Sequence, residues 1–215
     1  LGPFVVKSKD KGKNWKDNQC VWTHPDLAVS EPIIEHGQLG TLYMAGYADT
    51  GGGGHACFLL RYSEIDQEWG KGKKIAHNLQ GNLDFQEPAL LSLEANHLLC
   101  LMRVPTSEIY QAHSWDGGIT WEPPRKTGIE GLPPSLLQLR DGRILCTYGY
   151  RRTPYEIRAC ISHNEGITWE TDNLMVIRAN AGGWDIGYPS TVQLPGGDLF
   201  TVYYWFDAED KTRRI

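Results

Sequence analysis

No stretch of about 18 consecutive apolar residues occurs in the 215-residue chain, so it offers no candidate membrane-spanning helix. It has no Lys/Arg block either. Its 21 basic residues stand against 26 acidic ones, a net charge of -5 that argues against nucleic acid as a partner. Cys20, Cys57, Cys100, Cys146 and Cys160 form no CxxC pair and share no metal-ligand spacing with the seven histidines. They sit singly in apolar runs and read as small buried hydrophobes. Gly51 to Gly54 lacks the Lys-Ser/Thr and following helix of a phosphate loop, and reads as a turn. No metal and no cofactor is expected. Also missing is any long apolar face of period 3.6, so helices should be scarce. The chain starts Leu1-Gly2-Pro3 without a charged-then-apolar leader, which reads as a processed product or a fragment.

What is abundant is turn-formers and aromatics: 24 Gly, 12 Pro, 8 Trp and 10 Tyr. Many turns between short aromatic-rich apolar runs point to antiparallel β structure. An internal repeat organises the chain. Ser8 to Trp15, Ser114 to Trp121 and Ser162 to Trp169 all read S-x-(D/N)-x-G-x-(T/N)-W, and Ser63 to Trp69 is a shortened copy without the Gly. The copies recur roughly every 50 residues. Each residue type has a local reason to be there. The Asp or Asn can accept hydrogen bonds from its own turn, Gly supplies a positive φ, and Trp anchors the turn on the core. These turns are fasteners, so Asp10, Asp116 and Asn164 are not candidate catalysts.

Between fasteners, each repeat has a Pro-marked strand start, an apolar run, a turn and a second apolar run. The starts are Glu31-Pro32, Glu87-Pro88, Pro133-Pro134 and Tyr188-Pro189, and a third strand runs into the next fastener. Units of about 40–50 residues with three or four antiparallel strands are β-propeller blades. The fold class expected is all-β, a propeller of antiparallel four-stranded blades spanning 1–215 as a single domain. About four blades are present. Phe4 to Lys7 and Lys211 to Ile215 both read as third strands, so missing blades or a partner chain are expected to complete a six-bladed ring.

The chain resembles the sialidase-like propellers with Asp-box (BNR) repeats over nearly its whole length. That resemblance implies a glycan ligand in a central pocket and, by itself, a secreted or extracytoplasmic setting. Members of the superfamily use a Tyr nucleophile activated by a Glu, with arginines holding the substrate's carboxylate; a neutral nucleophile suits an anionic sugar. The order of those residues along the family chain maps Glu87 onto the base, Arg151 or Arg152 onto the clamp and Tyr188 onto the nucleophile. Arg158 and Arg103 are further clamp candidates, although Arg103 stands out of register with the position before the Ser114 copy, which holds Ile109. Asp49, in a loop between strands 2 and 3, matches the family's acid.

Residues read without the family point the same way. The position before Pro changes from Glu31 to Glu87 to Pro133 to Tyr188 within an otherwise strict repeat, which suggests function grafted on a scaffold. Trp184 and Asp185 could offer a stacking face and a carboxylate, while His24, His55 and His113 read as surface or hydrogen-bonded histidines. Ser30 occupies the place of the family's first arginine. An exo-acting glycoside hydrolase is therefore the leading expectation, with a non-catalytic glycan- or protein-binding propeller, or a polysaccharide lyase, as alternatives.

Overall fold

A computed structural model describes the chain except for residues 1, 25, 38, 39, 53, 78–82 and 210, and at 17 the backbone alone. Gly53 of the four-glycine turn thus falls outside the described residues. Among those described there are eighteen strands and no helix, and every strand pairing is antiparallel.

A two-stranded ribbon comes first, β1 (Phe4–Lys7) with β2 (Lys16–Cys20). The first blade holds β3 (Ile34–His36), β4 (Thr41–Asp49), β5 (His55–Ser63), β6 (Glu68–Trp69) and β7 (Lys73–Ala76). The second is β8 (Gln86–Ser92), β9 (Leu98–Arg103), β10 (Glu108–Ser114) and β11 (Arg125–Glu130). The third is β12 (Pro134–Gln138), β13 (Ile144–Tyr150), β14 (Glu156–Ser162) and β15 (Met175–Arg178). The fourth is β16 (Gly187–Gln193), β17 (Leu199–Phe206) and β18 (Arg213–Arg214). Strands of the second, third and fourth blades are paired in sequence order, the up-and-down meander expected from short turns; in the first, β5 pairs with both β6 and β7. The blades succeed one another as a β-propeller.

Burial explains the composition of the strands. One apolar cluster joins Tyr43, Ala45, Cys57 and Leu59 of the first blade to Leu90, Leu98 and Cys100 of the second. Another joins Leu99, Leu101 and Ile109 of the second to Ile144, Cys146 and Cys160 of the third. A sheet covered on both faces needs continuous apolar strands, and β9 is accordingly buried over five consecutive residues. β16, covered on one face, alternates buried and exposed, leaving Val192 in the open alongside Phe200 and Val202 of β17. Four of the five cysteines are buried and all five are free thiols, matching their reading as small hydrophobes.

One strand start departs from expectation. β4 pairs through Tyr47 with Ala28, and the chain then leaves the ladder until Ile34. Glu31 and Pro32 therefore precede the inner strand of the first blade instead of opening it.

Candidate functional site

Inner strands of the second and fourth blades begin with the same irregularity. The register of β8 against β9 shifts between Gln86 and Ala89, and that of β16 against β17 between Gly187 and Ser190. Each shift holds a non-glycine residue directly before proline at positive φ, Glu87 at 45° and Tyr188 at 49°. Side chains disfavour that region, and such conformations persist where the surroundings enforce them, often at functional sites. A bulge also re-aims a side chain. Here both side chains meet: Tyr188 donates from its hydroxyl to Glu87 Oε1 at 2.7 Å.

Arg103 completes the contact. Its Nη1 donates to both Glu87 oxygens at 2.9 Å, and Glu87 is buried. Arg103 was expected out of register, but in the β8–β9 hairpin it lies opposite Gln86, so the end of the second strand faces the start of the first. Counting the hairpin outward from Glu94-Ala95-Asn96 would have found it. Arg151, just past β13, donates from Nε to the Ile186 carbonyl at 2.8 Å and lies 5.7 Å from the Tyr188 ring centroid. Burial, and then the Arg103 charge nearby, push the Arg151 guanidinium below its ordinary value. Burial, then the hydrogen bond to Glu87, push the Tyr188 phenol up, so it is a neutral donor at neutral pH. The arrangement can deprotonate a phenol onto a carboxylate at the moment of attack, beside two cations suited to an anionic ligand.

The remaining sequence candidates have partners other than Glu87 and Tyr188 among the described residues. Asp49, exposed at the end of β4, accepts the Gly51 N–H at 2.8 Å within its own turn. Arg152 is exposed, 3.6 Å from Glu130. Arg158 pairs with Glu156 and lies over the Tyr150 ring at 3.5 Å, within the third blade. Trp184 is exposed, with the Arg151 guanidinium 5.9 Å from its ring. Asp185 accepts from Tyr204 and Arg213, each at 3.0 Å. Glu31 has Ser135 of the third blade at 3.5 Å, and burial raises its carboxyl to about 8. His24 packs on Trp22, and His113 is buried against His97. Tyr47, Asp84 and Gln86 did not stand out in the sequence, yet Gln86 directly precedes Glu87 and donates to Asp84 at 2.6 Å, and Asp84 contacts His55, against which the Tyr47 ring stands. Asp84 had one signal: it lies in the crossover leading to a pre-proline position.

Residues 3–201 match the family described as the BNR repeat-like domain. No curated protein matches the chain by sequence. Among solved structures, a protein of unknown function from Dyadobacter fermentans is similar at TM-score 0.83 and 25% identity, covering 95% of this chain and 60% of its own. The intramolecular trans-sialidase of Ruminococcus gnavus, solved with oseltamivir carboxylate, gives TM-score 0.70 and 19% identity, over 99% of this chain and 48% of its own. The α-L-arabinofuranosidase of Fusarium graminearum, solved with arabinobiose, gives 0.65 and 13%, over 94% and 68%. The chain thus spans about half to two thirds of the length of these proteins.

Proposed function

Because the chain belongs to the BNR repeat-like family, we propose that its axial residues form part of the active site of an exo-acting, sialidase-like glycoside hydrolase. The substrate class is an anionic glycan. The observation that carries this reading is the Tyr188–Glu87 hydrogen bond at 2.7 Å with Arg103 on the same carboxylate.

In this mechanism the Tyr188 oxygen attacks the anomeric carbon while Glu87 takes its proton, forming an aryl glycosyl intermediate and releasing the aglycone. Water then displaces Tyr188, giving one proton to the Asp49 carboxylate left by the first step, while Glu87 returns its proton to the Tyr188 oxygen. Arg103 and Arg151 hold the substrate's anionic group, and a neutral phenol approaches that anion without the repulsion a carboxylate would meet. Asp49 is the candidate proton donor to the leaving group. Tyr188→Phe and Glu87→Gln should each lower kcat by about 10²–10⁴-fold, with thermal stability kept. Full activity of both variants on the true substrate would overturn the assignment.

Two observations favour a second reading, a propeller that binds an anionic glycan or a protein without cleaving it. Ser30 replaces the family's first arginine, and the Asp49 carboxylate is engaged in its own turn. Incubation with sialosides, uronides and rhamnosides separates the two, since binding without turnover selects the binding module. An unsaturated product absorbing in the near ultraviolet would instead select a lyase. The apolar side chains left open on β16 and β17 support further blades, from this chain or a partner, covering that face.

A further inference from the structure

From Glu87 toward the rim of the first blade runs a wall that the chemistry above leaves unused. Tyr47 lies two residues before the end of β4, His55 opens β5, Asp84 lies on the crossover into β8 and Gln86 opens β8. Asp84 organises it. Its Oδ1 accepts the His55 backbone N–H at 2.7 Å and contacts His55 Nδ1 at 2.8 Å, while Oδ2 accepts from Gln86 Nε2 at 2.6 Å. The Tyr47 ring stands edge-on to the imidazole, centroids 5.5 Å apart.

We propose that this wall is a second sugar subsite, which binds the neutral hexose on the leaving-group side of the scissile bond. The proposal rests on the hydrolase reading above, since an exo-acting enzyme holding the terminal sugar at Tyr188 has one neighbouring sugar to accommodate.

Three features carry it. The first is continuity: Gln86 precedes Glu87 in the chain, pairs with Arg103 and donates from its side chain to Asp84, which holds His55 against the Tyr47 ring. The second is chemistry. Sugar sites combine an aromatic face with a few oriented polar groups, and here a phenol, an imidazole, a carboxylate and an amide converge while His55 and Asp84 stay about a third exposed. The third is preorganisation. Asp84 fixes the His55 ring through its backbone N–H and its Nδ1, and neither His55 Nε2 nor the Tyr47 hydroxyl has a hydrogen-bond partner among the described residues. Burial opposes ionisation of Asp84, but the His55 donors outweigh it and hold the carboxyl below its usual range. A fixed anion there favours a neutral sugar over an acidic one.

The test compares His55→Ala and Tyr47→Phe with the parent in the full chain, on 3′-sialyllactose and on a methylumbelliferyl sialoside that has no second sugar. His55→Ala should lower kcat/KM on 3′-sialyllactose by about 10-fold or more through KM, and on the aryl substrate by about 2-fold or less, with Tyr47→Phe smaller in the same direction. Equal losses on both substrates, carried by kcat, would place His55 in the chemistry and overturn the subsite. If neither substrate is turned over, the sialidase reading fails and a second measurement decides the subsite alone. That measurement is saturation-transfer NMR with lactose, cellobiose and maltose. Transfer from one of them to the parent that is lost in His55→Ala supports the proposal. Absence of transfer from all three, or transfer unchanged by the substitution, overturns it.

Discussion

In the turn at Ser8, the serine Oγ accepts the Gly12 N–H at 2.8 Å, and Asp10 accepts the Asn14 N–H at 2.8 Å. The turns at Ser114 and Ser162 repeat these bonds at 2.8–2.9 Å, with Asp116 and Asn164 in the acceptor role. Their glycines share the conformation too, with φ of 84°, 85° and 82°. The tryptophans do not share an environment. Trp169 is buried and donates to Gln111 of the preceding blade at 2.8 Å, and Trp121 is packed against the first-blade cluster. Trp15 is 61% exposed and bonds its own turn, at the Gly12 carbonyl. Hydrogen bonds between residues four apart are thus complete within their own segment, whereas anchoring needs the blade in front.

The largest effect expected from this difference is at the anchors. Trp169→Ala should cost about 3–5 kcal/mol, and Trp15→Ala within about 0.5 kcal/mol. Denaturant unfolding of the two variants checks it, and equal losses would break the distinction.

The second effect is pH-dependent and confined to the inner turn. His97 and His113 stack between β9, β10 and the Ser162 turn, with a 2.9 Å nitrogen contact between the rings; His97 meets Glu165, and Gln111 joins His113 to Gly166. Burial, then the His97 charge, push His113 down to about 4, and burial lowers His97. A folded value below the unfolded one means the unfolded chain takes up the proton first. The stability from His113 is therefore whole above about pH 6.5 and is lost as pH falls toward 4, of order 3 kcal/mol. Glu31, raised to about 8, works in the opposite direction over the same range, so the loss is read as the difference between the melting curves of the parent and of a variant with both histidines replaced by Gln from pH 7.5 to 4.5; the same pH dependence in both would overturn it.

A smaller contrast is expected at the glycines. A Cβ on Gly118 would lie 2.2 Å from Leu59 of the first blade, and on Gly166 2.6 Å from Leu99 of the second. On Gly12 the nearest atom is its own Trp15 at 3.8 Å. Gly118→Ala and Gly166→Ala should each cost about 2–4 kcal/mol, strain plus overpacking, and Gly12→Ala about 1 kcal/mol, strain alone. The smallest expectation reverses the contrast. Asp10→Ala and Asp116→Ala should lower the melting temperature slightly and equally, because hydrogen bonds within the turn hold each carboxyl at about 2 in both places.

The candidate site was legible only in part. Glu87 and Tyr188 stood out because they diverge at one position of a strict repeat, and the structure brings them together from the second and fourth blades. Arg103, a clamp candidate out of register when counted from the Ser114 copy, is placed at Glu87 by the β8–β9 hairpin instead. Glu31 was grouped with Glu87, yet the departure of the chain between Ala28 and Ile34 sends it to Ser135 instead. Tyr47 carried no pattern, His55 read only as a surface or hydrogen-bonded histidine, and Asp84 was marked only by its place before a pre-proline position, since they come from one strand, the start of the next and a crossover.

By itself the sequence determined the turns, the strand order and the blade repeat, because each rests on interactions among residues close along the chain: a serine and a glycine four apart, a proline at a strand start, a hairpin. Only the tertiary structure decided which tryptophans are anchors, which arginines reach Glu87 and that Glu31 turns to Ser135. Those outcomes depend on how successive blades lean on one another and on bulges that turn a side chain by a fraction of a strand. Such contacts join residues tens of positions apart, where no local spacing records them.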